Sequence, residues 1–156
     1  MKKLQLQQLD RQLERIKTLK PYLTPPPGGW ARTIRKALGI TAQLMAKRLK
    51  VSRSRVIQIE RHETEGSITL TSLEKVAEVL NCELVYAFIP KTSLKETLYQ
   101  VAVRLSKEML SQINHSMSLE DQGLTNEQLE TAKKTLIEEL LSGSLKKLWE
   151  NDSNGI

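Results

Sequence analysis

The 156-residue chain has one cysteine, two histidines, 4% aromatic residues and no long apolar run. Cys82 alone excludes an internal disulfide and a thiolate metal cluster. His62 and His115 lie far apart without ligand-like spacing, so surface or structural histidines are expected and no metal. No stretch approaches the roughly 18 apolar residues of a membrane span. Met1-Lys2-Lys3 leads into Gln-rich amphipathic sequence, not an apolar leader, so a cytoplasmic protein without membrane contact is expected. There is no Gly-rich phosphate loop, no histidine pair and no Cys–His pair in a nucleophile-like setting. The chain is therefore not expected to be an enzyme, to need a cofactor or to act on a small-molecule substrate. Scarce aromatics beside abundant Leu, Lys, Glu and Gln favour helix over sheet, hence a mainly α fold.

Charge is what the chain does have, and it is unevenly placed. The net charge is +6. Residues 30–65 carry nine basic residues, from Arg32 to Arg61, against Glu60, Glu63 and Glu65, for +6; residues 1–29 contribute +4 and the remainder −4. Clustered Lys and Arg neutralise phosphates and release counterions, which suits a polyanionic partner; a solvated basic face is the plainer alternative.

Three segments emerge along the chain. In residues 1–29, Leu6, Leu9, Leu13, Ile16 and Leu19 form one apolar stripe of an amphipathic helix, ended by Pro21 and the linker Pro25-Pro26-Pro27-Gly28-Gly29. Residues 30–90 read as short helices in quick succession. Trp30, Ile34 and Leu38 line the first, with Gly39 at its stop. Thr41 caps a second to about Leu49, with Met45, Ala46 and Leu49 inward, and Ser52 caps a third to about Arg61, with Val56 and Ile59 inward. Thr71-Ser72-Leu73-Glu74 reads as a capping box for a fourth helix through Leu80. Residues 83–89 read as one short β-strand, with Leu84, Tyr86 and Phe88 on one face and Val85, Ala87 and Ile89 on the other. A lone strand leaves its N–H and C=O groups unpaired, so a second copy is the expected partner, with Leu84, Val85, Tyr86 and Phe88 at the dimer interface. In residues 91–156, Ser93-Leu94-Lys95-Glu96 opens a helix to about Asn114 and Thr125 opens another to about Leu141. A short turn follows at Leu145–Trp149, then a disordered tail from Asn151.

The segment from Ile40 to Glu60 carries the clearest motif. Thr41 starts a helix, Ala46 lets two helices cross closely, Val51 and Ser52 make a short turn, and Val56 and Ile59 face the core. The third helix then projects its N-terminal side chains outward, as major-groove reading requires. With Leu49 and Glu60, these residues resemble the helix-turn-helix of the phage-repressor-like Xre family. The resemblance implies base contacts from Arg53, Ser54, Arg55 and Gln58. Arginine can bond guanine O6 and N7, and glutamine adenine N6 and N7. Lys47, Arg48, Lys50 and Arg61, with Thr41 and Gln43, are the expected phosphate contacts that fix register. Ala42 stands where many Xre members have Gln, which moves to Gln43, and Lys50 stands where Gly is usual.

The flanks extend the likeness. The N-terminal amphipathic helix, Pro-Pro-Gly-Gly-Trp30, Glu65–Leu70 and Cys82–Pro90 together resemble the mobile mystery protein A family over residues 4–90. Its members are Xre-type regulators paired with a Fic-domain protein. That implies an antitoxin repressing its own operon, with operator DNA, a second copy and a Fic-domain toxin as partners. The toxin would dock on Leu6, Leu9, Leu13 and Ile16, unless that stripe packs on its own protein. The Ser/Thr-x-x-x-Glu-Gly/Asn pattern of the best-known Fic inhibitors does not fit, because Arg61 precedes Glu65-Gly66 and Lys146 precedes Glu150-Asn151 at that distance. A free-standing repressor and a protein-interaction module are the alternatives.

Overall fold

Short hydroxyl side chains set most helix starts. In the computed structural model, which describes residues 3–119, 123–152 and 155, α1 spans Lys3–Lys17, α2 Lys20–Leu23, α3 Trp30–Ala37, α4 Ala42–Leu49, α5 Arg53–Glu65 and α6 Leu70–Val79. They are followed by α7 at Leu94–Leu119, α8 at Asn126–Ser142 and α9 at Leu145–Glu150. Thr41, Ser52, Thr125 and Ser144 cap α4, α5, α8 and α9, and at α8 Gln128 completes a reciprocal capping box. The fourth short helix begins earlier than expected. Thr69, not Thr71, is the N-cap of α6, its hydroxyl accepting from the Ser72 amide at 3.1 Å. Pro21 falls in the first turn of α2, where its missing N–H has no cost.

The chain divides into two compact units, Thr18–Phe88 and the pairing of residues up to Lys17 with those from Ile89 on. In the first, Ala31, Met45, Ala46, Val56, Ile59, Val76 and Leu80 form the core of α3 to α6, with Leu49 packed against it. The face of α3 differs from the expected Trp30–Ile34–Leu38 stripe: Trp30 and Leu38 are exposed, while Ala31 and Arg35 are buried. Polar contacts decide this rotation. Arg35 forks onto Glu60 of α5 through Nε to Oε1 at 2.5 Å and Nη2 to Oε2 at 3.1 Å, and its Nη1 donates to the Ile40 carbonyl at 3.0 Å. The Glu63 carboxylate meanwhile accepts from the amides of Trp30 at 2.7 Å and Ala31 at 3.0 Å, capping α3 from another helix. Gly29 has φ +83°, which favours glycine, and a Cβ there would lie 2.9 Å from that carboxylate and push it from its capping position.

In the other unit Leu98, Val101, Ala102 and Leu105 recur at helical spacing on α7 and pack with Ile137 of α8 and Leu148 of α9. Leu6 of α1 joins this core, and Asp10 of α1 accepts from the amides of Leu94 at 2.7 Å and Lys95 at 3.0 Å at the start of α7. The N-terminal helix thus packs on its own protein, with Leu9, Leu13 and Ile16 half-buried. Near the C-terminus, Arg104 forks onto Asp152 at 3.0 and 2.5 Å and also donates to the Gly155 carbonyl. The hydrogen bond to Asp152 is the chief cause raising the Arg104 guanidinium above its ordinary pKa. Asp152, inside the segment expected to be a disordered tail, is therefore anchored; residues 153, 154 and 156 lie outside the described residues.

The expected strand does not form within the chain. Residues 82–90 carry no regular secondary structure, and among the described residues none from 83 to 90 makes a backbone–backbone hydrogen bond. A strand exists only as part of a ladder, and the described residues offer this segment no second strand. Val85, Tyr86 and Phe88 are 75%, 67% and 82% exposed, and Leu84 is half-buried. Among the described residues, no helix is long and apolar enough to cross a membrane.

Candidate nucleic-acid interface

Three residues separate α4 from α5, and each has a definite task. Lys50 ends α4 in the left-handed region at φ 57° and ψ 42°, which lets the Val51 amide reach back to the Ala46 carbonyl at 3.0 Å. Val51 continues the turn, and Ser52 caps α5 by accepting from the Arg55 amide at 3.1 Å. Ala46, only 1% exposed, belongs to the core that α4 shares with Val56 and Ile59 of α5. A larger side chain there would separate the two helices.

The sides of α5 follow from its pitch of about 100° per residue. Val56, Ile59, Glu60 and Glu63 fall on one stripe, the first three buried and Glu63 half-buried. Ser54, Ile57, Gln58 and Arg61 share the same spacing on the opposite stripe and are all exposed. Arg53 and Arg55 flank that stripe on either side. Of the four residues expected to meet bases, the structure therefore puts Ser54 and Gln58 at the centre of the outward face and the two arginines at its borders. Arg55 Nη1 donates to Gln58 Oε1 at 3.4 Å, so the two side chains lie together. Arg61 shares the outward stripe but bonds Glu65 at 2.6 Å, and this contact, first by hydrogen bonding and then by charge, raises its pKa.

A cleft beside α5 gathers Arg32 of α3, Thr41 and Ala42 at the start of α4, and Arg53, Ile57 and Arg61 of α5 over a floor that includes the Arg35–Glu60 pair. Thr41 accepts from the Leu44 amide at 3.1 Å and leaves the Ala42 and Gln43 amides without an intrahelical partner. Arg32 and Arg53 have no carboxylate partner among the described residues. Unsatisfied amides at a helix start, with unpaired guanidiniums around them, have the chemistry that suits an anion such as phosphate. Lys47, Arg48, Lys50 and Gln43, the expected phosphate contacts, are exposed. Arg32 and Ile57 were missed by the sequence reading. The helical spacing from Ser54 would have found Ile57, whereas Arg32 is brought to the cleft by tertiary folding alone.

Residues 32–86 match the helix-turn-helix family. They form a helix-turn-helix domain of the Xre-like kind. The match runs from α3 through α6 into the exposed segment at Tyr86, about a third of the chain. Such a domain is that of DNA-binding transcription regulators. No curated protein and no solved structure matches the chain.

Proposed function

We propose that the helix-turn-helix domain makes this chain a dimeric, sequence-specific transcriptional repressor, and not an enzyme. The observation that carries the reading is the outward stripe of α5, with base-reading chemistry at Ser54 and Gln58 bordered by Arg53 and Arg55 and backed by the phosphate-binding cleft. Base contacts come from Ser54, Gln58 and the flanking Arg53 and Arg55; Thr41, Gln43, Lys47, Arg48, Lys50 and Arg61 hold phosphates. Residues 83–89 pair with a second copy. Their support is the unpaired backbone and the exposure of Val85, Tyr86 and Phe88.

Fluorescence anisotropy on duplexes from the chain's own promoter tests this reading. Specific binding is expected, with log affinity falling steeply against log salt. Gln58→Ala should cost about 1–3 kcal/mol and relax base preference, while Lys47→Ala weakens all sequences alike. Equal affinity for promoter and random DNA refutes sequence-specific repression.

An antitoxin role toward a Fic-domain toxin is part of the proposal. It rests on the sequence resemblance over residues 4–90 alone, because Leu6, Leu9, Leu13 and Ile16, the docking residues expected from the sequence, lie on a helix that packs on its own protein. Co-expression of the full chain with its neighbouring gene product, read by size-exclusion chromatography, tests it. Separate elution leaves a free-standing repressor.

A further inference from the structure

Ile57 is out of place on a solvated helix face. It is 51% exposed, belongs to no core cluster, and stands on the outward stripe of α5 between Ser54 and Arg61. A β-branched side chain adds nothing to helix propensity, and only about half of its surface is covered in the free protein. Its surroundings restrict what can cover it. Arg53 lies one turn before it and Arg61 one turn after it, and the three line the same cleft with Thr41 and Ala42. An apolar protein surface seated on Ile57 would have to strip water from the Arg53 guanidinium, which has no carboxylate partner among the described residues. A DNA major groove answers both needs, since its base edges can take the Arg53 guanidinium, its phosphates that of Arg61, and the base edges also offer one apolar group, the 5-methyl of thymine.

We infer that Ile57 is a specificity residue that reads thymine through its 5-methyl group. The inference rests on the DNA-binding reading and deepens it. Gln58, the next residue on the same face, has the amide that pairs with adenine N6 and N7, and an A·T pair displays those atoms beside the thymine methyl. Ile57 and Gln58 together therefore favour A·T pairs opposite the middle of α5.

The test begins with selection of duplexes from a randomised pool by the full-length protein. Each thymine of the recovered motif is then replaced singly by deoxyuridine, which removes only the methyl. Wild-type affinity should fall about three- to tenfold at one thymine per half-site, on the scale of one buried methyl group. Ile57→Ser should lose that sensitivity while Gln58→Ala retains it, with a thermal melt of each variant used to check that the domain remains folded. Failure to recover any motif overturns the DNA-binding reading itself. A recovered motif that lacks thymine, is indifferent to deoxyuridine throughout, or keeps its deoxyuridine penalty with Ile57→Ser overturns the role of Ile57 and leaves the DNA-binding reading standing. An Ile57→Ser variant that changes its light-scattering mass without changing thymine preference assigns Ile57 to a protein contact and overturns the inference too.

Discussion

Lys50 adopts a left-handed conformation, φ 57° and ψ 42°, in which a Cβ crowds the following carbonyl. The Val51-to-Ala46 hydrogen bond across the turn requires it. Lys50→Gly should therefore raise the unfolding free energy by about 0.5–1 kcal/mol in urea titrations, the relief of strain exceeding glycine's greater entropy loss. A neutral or destabilising result shows that the lysine is not strained. Glu60 is a harsher case, because its removal leaves the Arg35 charge 8% exposed and without its partner. Glu60→Ala should cost about 3–5 kcal/mol by the same measurement. Both residues were visible in the sequence as part of the motif, but Arg35 was not. A buried arginine reads as surface until its partner is known, and this is why the apolar stripe assigned to α3 was rotated away from Ala31 and Arg35.

Helix boundaries were legible wherever a hydroxyl cap and its amide lie three residues apart, as at Thr41, Ser52 and Thr125. They were less so where a choice of caps existed, as between Thr69 and Thr71, or where an apparent stop serves another purpose. Asn114, read as the end of α7, instead accepts from the Leu124 amide at 3.0 Å while the helix continues to Leu119. The long-range caps were beyond sequence reading altogether, since Asp10 and Leu94 are 84 positions apart. Asp10 fixes where α1 meets α7 by satisfying two amides of α7 that the helix itself leaves open. Asp10→Ala should lower stability by about 1–2 kcal/mol and increase amide exchange at Leu94 and Lys95, read by hydrogen-exchange mass spectrometry. Unchanged exchange there means that Leu6 and its neighbours hold α1 without the cap.

At the scale of the whole molecule the question is whether one chain suffices for the proposed repression. A single recognition helix covers one half-site, and tight operator binding by such domains comes from two half-sites about 34–36 Å apart, read by a symmetric dimer. The chain holds a segment suited to making that dimer. Residues 83–90 leave their backbone unpaired among the described residues while exposing Val85, Tyr86 and Phe88. Antiparallel pairing with the same segment of a second copy would supply the absent ladder and cover those side chains together, which accounts for a strand-like sequence forming no strand in isolation. Light scattering at micromolar concentration should give twice the chain's 17.8 kDa. Phe88→Glu should reduce it to a single chain and sharply weaken binding to a full palindromic site, while binding to an isolated half-site stays the same. That last comparison separates loss of the dimer from damage to the domain. A monomeric wild type, or a Phe88→Glu variant that still dimerises, would remove residues 83–89 from the interface and require some other surface to bring two recognition helices together.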